Sequence, residues 1–327
     1  MINHPSLQFL RESSQKPRTF STMTANSLFS EADLDADAPL VLNGDPRPVR
    51  LAVIGKPVSH SLSPRMHQAV LNRLGKDTRY VAISVEPGRV AKCLSRMAKA
   101  GFIGCNVTVP HKHEAFDACD EHSDAASTFG VVNTIRFRDD GTIFGDNTDG
   151  AGLEAAVGEA FNLRFSSARI AIVGAGGGAG RAAALQAARS RATSLLLINR
   201  TTSKLRELTD KITALSPGTT VDTVPLDDCE GLRSAFASCD VLINATSVGL
   251  KPDDPPPIPA ACLHPKLAVF DMIYNPAETP LMRAAREIGA PAANGLGMLI
   301  HQGALAFASW FPGTPHAAPT MRRELMD

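Results

Sequence analysis

The sequence predicts an α/β protein built as two successive strand–helix units, and three observations carry that prediction. Short apolar runs alternate with helix-patterned stretches, the alternation restarts near residue 150, and a glycine-rich turn joins a strand to an alanine-rich helix in the second series. A chain of 327 residues is long enough for two domains of about 100–200 residues each. Its 33 basic residues balance 33 acidic ones, so no cationic surplus exists to neutralise a nucleic-acid backbone. Apolar runs such as Leu195–Ile198 are strand-length, far short of the ~20 residues that cross a bilayer, so no membrane span is expected. Cys93, Cys105, Cys119, Cys229, Cys239 and Cys262 are scattered without a C-x-x-C pair. They read as reduced thiols of a cytoplasmic protein, with no metal-ligand spacing.

Residues 1–48 are rich in Ser, Thr, Asn and Asp, carry Pro17, Pro39, Pro46 and Pro48, and keep no sustained period. Such a stretch buries too little apolar surface to offset its ordering entropy, and a disordered extension is the expectation. Arg11, Lys16 and Arg18 against Glu12 alone give its start a transit-peptide flavour, though an unstructured extension is preferred. Leu51–Gly55 reads as a short buried strand, and Ser63-Pro64 as the opening of a helix reaching about Leu74. Tyr80–Val85 is the next strand, a helix follows from about Gly88 to Ala100, Phe102–Val107 is strand again, and a helix starts near Pro110. Val131–Phe137 and Thr142–Phe144 flank Asp139-Asp140-Gly141 as a hairpin. After a helix from about Thr148, the strands are Arg169–Val173, Leu195–Ile198, Val221–Val224, Val241–Asn244 and Leu267–Phe270, mostly with helices between them. Pro252–Pro259 is a loop, and a last helix, about Met298 to Phe311, is placed to pack back on the first unit. Alternation of this kind implies parallel sheets covered on both faces, with a cleft between the units.

The segment IAIVGAGGGAGRAAALQAA sets Gly174, Gly176, Gly177, Gly178 and Gly180 between a buried strand and a helix. Glycines there allow a tight turn and let backbone amides approach a pyrophosphate at the positive end of the helix. The second strand of this Rossmann-like unit ends in Asn199, Arg200 and Thr201, with Lys204 one turn on. A free ribose diol calls for Asp or Glu at that strand end. Two cations and two neutral hydrogen-bonding groups suit a 2′-phosphate instead, which argues for NADP(H) over NAD.

Three polar segments sit at strand-to-helix junctions of the first unit: Ser59-His60-Ser61-Leu62-Ser63-Pro64, Asn106-Val107-Thr108-Val109-Pro110-His111-Lys112, and Gly145-Asp146-Asn147-Thr148-Asp149-Gly150. Singly, each has a bland reading as caps, turn formers or a solvated lysine. Together with VVNT (131–134), GAGG, NRT, INATSVG (243–249), DMIYNPAETP (271–280) and GLGMLIHQG (295–303), they occur in the order and spacing of one family. From about residue 50 to the C-terminus the chain resembles shikimate dehydrogenase.

The resemblance implies reversible, NADPH-dependent reduction of 3-dehydroshikimate to shikimate, on the route to chorismate and the aromatic amino acids. It implies that Lys112 exchanges a proton with the reacting C3 oxygen and that Asp149 pairs with Lys112 and holds the substrate hydroxyl. Hydride addition to a ketone leaves an alkoxide needing a proton, so an ammonium beside a carboxylate fits that chemistry. Ser61, Ser63 and Tyr274 match the carboxylate-binding positions, and Asn106, Thr108, Asn133 and Gln302 those that meet ring hydroxyls. Gly295 and Met272 are implied near the nicotinamide, and Thr246 and Ser247 near the cofactor bridge. GAGGGAGR departs from the family loop by one extra small residue before Arg181, which leaves the amide register open beyond Gly174, Gly176 and Gly177. His111 and His301 read as structural. The implied division is an extension over 1–48, a substrate-binding catalytic domain over 49–150 rejoined by 297–327, and an NADP-binding domain over 151–296. A monomer or homodimer acting on a small molecule is expected. Two rival readings stand beside this one: a quinate/shikimate dehydrogenase using NAD, and a catalytically silent metabolite sensor.

Overall fold

The computed structural model describes residues 28–34, 40–42, 44–251 and 253–327. The chain enters through β1 (Leu28–Ser30), β2 (Val41–Leu42) and β3 (Asp45–Gly55), and continues through α1 (Ser63–Arg73), β4 (Arg79–Ser84), α2 (Val90–Lys99), β5 (Gly104–Val107) and α3 (Lys112–Asp117). Then come β6 (Glu121–His122), α4 (Asp124–Phe129), β7 (Thr134–Phe137) and β8 (Ile143–Asp146). These strands make one sheet in the order β1-β4-β3-β5-β7-β8-β6, with β2 paired to β3. β1, β4, β3 and β5 run parallel, whereas β7 pairs antiparallel with β5 and with β8, as the hairpin reading requires.

The run Leu51-Ala-Val-Ile is buried on both faces because helices cover both. Ala52 and Ile54 pack with Val90, Leu94 and Met97 of α2. Leu51 and Val53 pack with Met66 and Val70 of α1 on the opposite face. The Asp139-Asp140-Gly141 corner turns with Gly141 at φ +87°, the left-handed conformation that glycine adopts without steric cost.

α5 (Asp149–Phe161) leads to the second series: β9 (Arg169–Val173), α6 (Gly178–Arg189), β10 (Ser194–Asn199), α7 (Arg206–Leu215), β11 (Thr220–Pro225), α8 (Cys229–Phe236), β12 (Val241–Asn244), β13 (Ala268–Asp271), α9 (Pro280–Glu287) and β14 (Ala292–Asn294). The order β11-β10-β9-β12-β13-β14 is parallel throughout. This is the Rossmann arrangement, whose strand order reverses beside the first strand and opens a crevice there. The chain then returns through α10 (Leu296–Trp310) and α11 (Ala318–Met326). Phe307 and Trp310 of α10 and Met321 of α11 close the cluster around Leu51 and Val53.

Several boundaries differ from the sequence reading. The disordered extension expected over 1–48 is corrected for the described residues 28–34, 40–42 and 44–48. β1 lies parallel to β4 at the sheet edge, Leu34 and Leu42 are buried against the α2 face, and Asp45–Pro48 already belong to β3. Residues 1–27, 35–39 and 43 of that expectation lie outside the described residues. The helix expected near Pro110 begins at Lys112, and β14 has no counterpart in the sequence reading. No helix among the described residues is long and apolar enough to cross a membrane.

Candidate active site

Each polar segment of the first unit lies where a strand hands over to a helix. Ser61 is in the loop after β3 and Ser63 is the first residue of α1. Asn106 is the third residue of β5, Thr108 follows that strand, and Lys112 opens α3. Asn133 precedes β7, and Asp149 opens α5 directly after β8. The backbone ties the three junctions together: Val107 N donates to Asn133 O (2.8 Å), Asn133 N to Asp146 O (3.0 Å) and Val132 N to Lys112 O (3.0 Å). One cavity of about 370 Å³ results. Ser61, Ser63, Asn106, Thr108, Lys112, Asn133, Asp149, Tyr274 and Gln302 all line it, as do Met272 and Gly295.

Lys112 and Asp149 are its charged pair, with Nζ 2.6 Å from Oδ2. The other carboxylate oxygen of Asp149 accepts from Asn133 Nδ2 at 2.8 Å. Asn133 is itself held on all sides, since its Oδ1 accepts from Thr148 N (2.8 Å) and Thr134 Oγ1 (2.9 Å). Its Nδ2 also faces Gln302 Oε1 at 3.4 Å. A carboxylate fixed in this way holds the ammonium at one place above the cavity floor, which is preorganisation for proton exchange. Gln302 arrives from α10 and spends its Nε2 on Leu299 O (2.7 Å), so its Oε1 is turned to the site. Burial pushes the Tyr274 phenol above its usual range, so it enters the cavity as a protonated donor. His111 and His301 point elsewhere, to Val85 O (2.9 Å) and Glu159 (2.8 Å) respectively.

The glycine-rich turn stands at the C-terminal end of β9. Gly174 has φ +80°, Gly176 leaves so little room that an added Cβ would lie 2.9 Å from Asn199 Nδ2, and Gly177 caps α6. A Cβ on Gly180 would fall 2.2 Å from Gly174 O, whereas one on Gly178 would meet nothing within 4 Å. Gly180 is therefore the residue that lets α6 pack on the β9 turn. At the end of β10, Asn199 Nδ2 bonds Thr201 O at 3.0 Å, while Arg200, Thr201 and Lys204 are exposed. The nearby acidic Glu207 is bound to Arg181 (2.5 Å). Thr246, after β12, gives N and Oγ1 to Asn244 Oδ1 (3.0 and 2.8 Å). Ser247 is exposed beside it and, like Thr246, does not line the cavity. Gly295 caps α10 against Met272, with an added Cβ 2.1 Å from Met272 O.

Three residues that the sequence reading did not single out complete the picture. His60 lines the cavity. Tyr80, read only as the start of a strand, donates its phenol to Asn106 Oδ1 at 2.7 Å. Asp271 is fully buried and accepts from Thr279 Oγ1 (2.7 Å), Asn244 Nδ2 (3.0 Å) and Ile273 N (3.1 Å). Burial pushes its carboxyl upward although those donors pull the other way, and through Asn244 it joins the Thr246 loop to the Met272–Tyr274 loop. Only DMIYNP, as a motif, pointed to Asp271.

Comparison with known proteins gives independent findings. The model of the shikimate dehydrogenase substrate binding domain matches residues 53–135. The model of the shikimate 5'-dehydrogenase C-terminal domain matches 295–326. A shikimate dehydrogenase (NADP(+)) of Methanopyrus kandleri is 37% identical over 279 residues, 85% of this chain and 94% of that protein. Among solved structures, shikimate 5-dehydrogenase of Thermus thermophilus in complex with NADP(H) and shikimate is 33% identical with TM-score 0.72, covering 84% of this chain and 99% of that one. A quinate dehydrogenase of Corynebacterium glutamicum in complex with NAD is 29% identical with TM-score 0.75, covering 85% and 98%. The shape of the backbone is thus shared by enzymes named for different substrates and cofactors, and the side chains must decide between them. With this cavity, these matched segments and relatives of this identity along nearly their whole length, the chain belongs to the shikimate dehydrogenase family.

Proposed function

We propose that the chain is an NADP-dependent oxidoreductase that interconverts 3-dehydroshikimate and shikimate, a step toward chorismate and the aromatic amino acids. The observation that carries this reading is the Lys112–Asp149 pair at 2.6 Å in a cavity whose other described lining residues, His60 apart, are neutral hydrogen-bonding and apolar groups. A polyhydroxylated ring acid suits that lining, because each buried donor or acceptor it satisfies adds discrimination. NADPH, when bound, supplies the hydride that reduction of the C3 ketone needs. Lys112 holds its proton at the reacting oxygen and stabilises the charge that develops there. Asp149, braced by Asn133, orients that ammonium and receives the substrate hydroxyl. Ser61, Ser63 and Tyr274 bind the carboxylate, and Asn106, Thr108, Asn133 and Gln302 bind ring hydroxyls.

For the cofactor, the tight glycine turn between β9 and α6, packed against Thr246 and Asn199 and capped by Gly177, supports a backbone cradle for a pyrophosphate at the helix N-terminus. We assign Gly174, Gly176 and Gly177 to that cradle, and Thr246 and Ser247 to its bridge. Asn199, Arg200, Thr201 and Lys204 would hold the 2′-phosphate, and Met272 and Gly295 the nicotinamide. The labour divides between a substrate domain over 49–150 with 297–327 and a cofactor domain over 151–296. We further propose a cytoplasmic enzyme, monomeric or homodimeric, with no nucleic-acid partner.

The test follows reduced-nicotinamide absorbance with shikimate or quinate, each with NADP⁺ and with NAD⁺. Turnover confined to shikimate with NADP⁺ is expected. Comparable turnover of quinate with NAD⁺ would move the chain to the quinate-using subclass, and cofactor binding without turnover would make it a sensor. Replacing Lys112 by Ala is expected to lower kcat by about 10²–10⁴-fold, the range for a positioned acid–base group, with NADP⁺ affinity kept.

A further inference from the structure

Tyr80 lies on β4, behind the cavity rather than in it. Its ring belongs to the apolar cluster between the sheet and α1, α10 and α11. It stacks on His67 of α1 at 4.5 Å with the planes 1° apart, and leans on Trp310 of α10 at 6.1 Å. Neither ring nitrogen of His67 has a hydrogen-bond partner, so the histidine acts as a flat spacer and takes nothing from the phenol. Burial pushes the phenol well above its usual range, which keeps its proton in place.

Hydrogen-bond accounting at Asn106 shows what that proton does. A carboxamide has two N–H donors and an oxygen with two lone pairs. Asn106 Nδ2 lies 3.3 Å from the backbone carbonyl of Asn133 and 3.3 Å from Thr134 Oγ1. A carbonyl cannot donate, so the nitrogen must face it and the oxygen must face Tyr80. The phenol therefore donates to Oδ1, and the lone pair left on Oδ1 is what Asn106 has free for the cavity it lines.

We propose that Tyr80 is a positioning residue that sets the hydrogen-bond polarity of the substrate-facing Asn106 carboxamide. With both Nδ2 hydrogens turned to Asn133 O and Thr134 Oγ1 and the phenol fixed on Oδ1, Asn106 is an obligate acceptor toward the cavity, which demands a donating ring hydroxyl. Specificity for a free hydroxyl at one ring position is thus written behind the cavity wall. This inference rests on the shikimate reading of the site.

Tyr80→Phe keeps the stack on His67 and removes only the hydroxyl. The experiment measures kcat, KM and, by titration calorimetry with NADP⁺ present, affinity for shikimate and its 4-deoxy and 5-deoxy analogues in wild type and variant. The loss of one buried hydrogen bond is expected to raise KM and Kd for shikimate about three- to tenfold. The preference for shikimate over one of the two deoxy analogues should shrink by a similar factor, while KM for NADP⁺ stays the same. A uniform loss for all three ligands would be a structural effect and overturns the proposal, as does unchanged shikimate affinity. The calorimetry separates this inference from the functional reading, since discrimination in binding is visible even if turnover fails. Absence of shikimate binding by the wild type overturns both.

Discussion

At the scale of single residues, the first unit carries an expensive side chain in His67. It is fully buried with two unpartnered nitrogens, and burial drives its pKa down to about 3 from 6.5. Between those values the unfolded chain binds a proton that the folded chain refuses, so the unfolded state gains as pH falls. The contribution to stability is intact above pH 6.5 and drains as pH drops toward 3, by up to about 1.4 kcal/mol per pH unit. Urea unfolding at several pH values is expected to show a shallower acid loss in His67→Phe than in wild type, and parallel profiles would refute the assignment. Residues of this kind are hard to read from sequence. Lys112, Asp149 and the serines stand out only together, as polar groups at three strand ends set against apolar runs. Tyr80 and His67 look like ordinary strand and helix residues, because the partners that give them a role, each other, Asn106 and Trp310, sit on separate elements.

At the scale of elements, the turn from β9 into α6 yields a paired prediction. Gly180→Ala would drive a methyl into Gly174 O, at 2.2 Å before any relaxation, and overpacking of this kind costs about 1–3 kcal/mol. Gly178→Ala meets open space and is expected to be neutral or stabilising, because alanine is the better helix former by up to about 1 kcal/mol. Thermal unfolding, with NADPH fluorescence titration alongside, checks both, and Gly180→Ala should also weaken cofactor affinity. The long apolar runs, β3, β9, β10, β12 and β13, were visible because a strand buried on both faces cannot hide its composition. β1 and β14, at three residues each, were not. An edge strand that short has no period of its own and exists through its neighbour, β4 for the first and β13 for the second.

Across the whole molecule, the described residues 28–34 and 40–42 form a strap over the α2 face. Leu34 and Leu42 supply its apolar contacts, Arg96 Nη1 reaches Glu31 O at 3.1 Å, and Glu31 also pairs with Arg89. Leu34→Ala is expected to destabilise by roughly 2 kcal/mol, the low end for a buried leucine because the strap is peripheral. Calorimetry should show the lower Tm with kcat unaltered, since the strap is remote from the cavity. The two sheets depend differently on the rest of the chain. The all-parallel sheet finds its strands and most of its covering helices between residues 169 and 294. The first sheet has its α1 face only partly covered until Phe307, Trp310 and Met321 arrive. On a ribosome, where the chain emerges from its N-terminus, that order is inverted in time. The unit synthesised second can finish first, and the unit synthesised first must wait, with Leu51 and Val53 covered on that face by α1 alone, until α10 and α11 leave the tunnel and deliver Gln302.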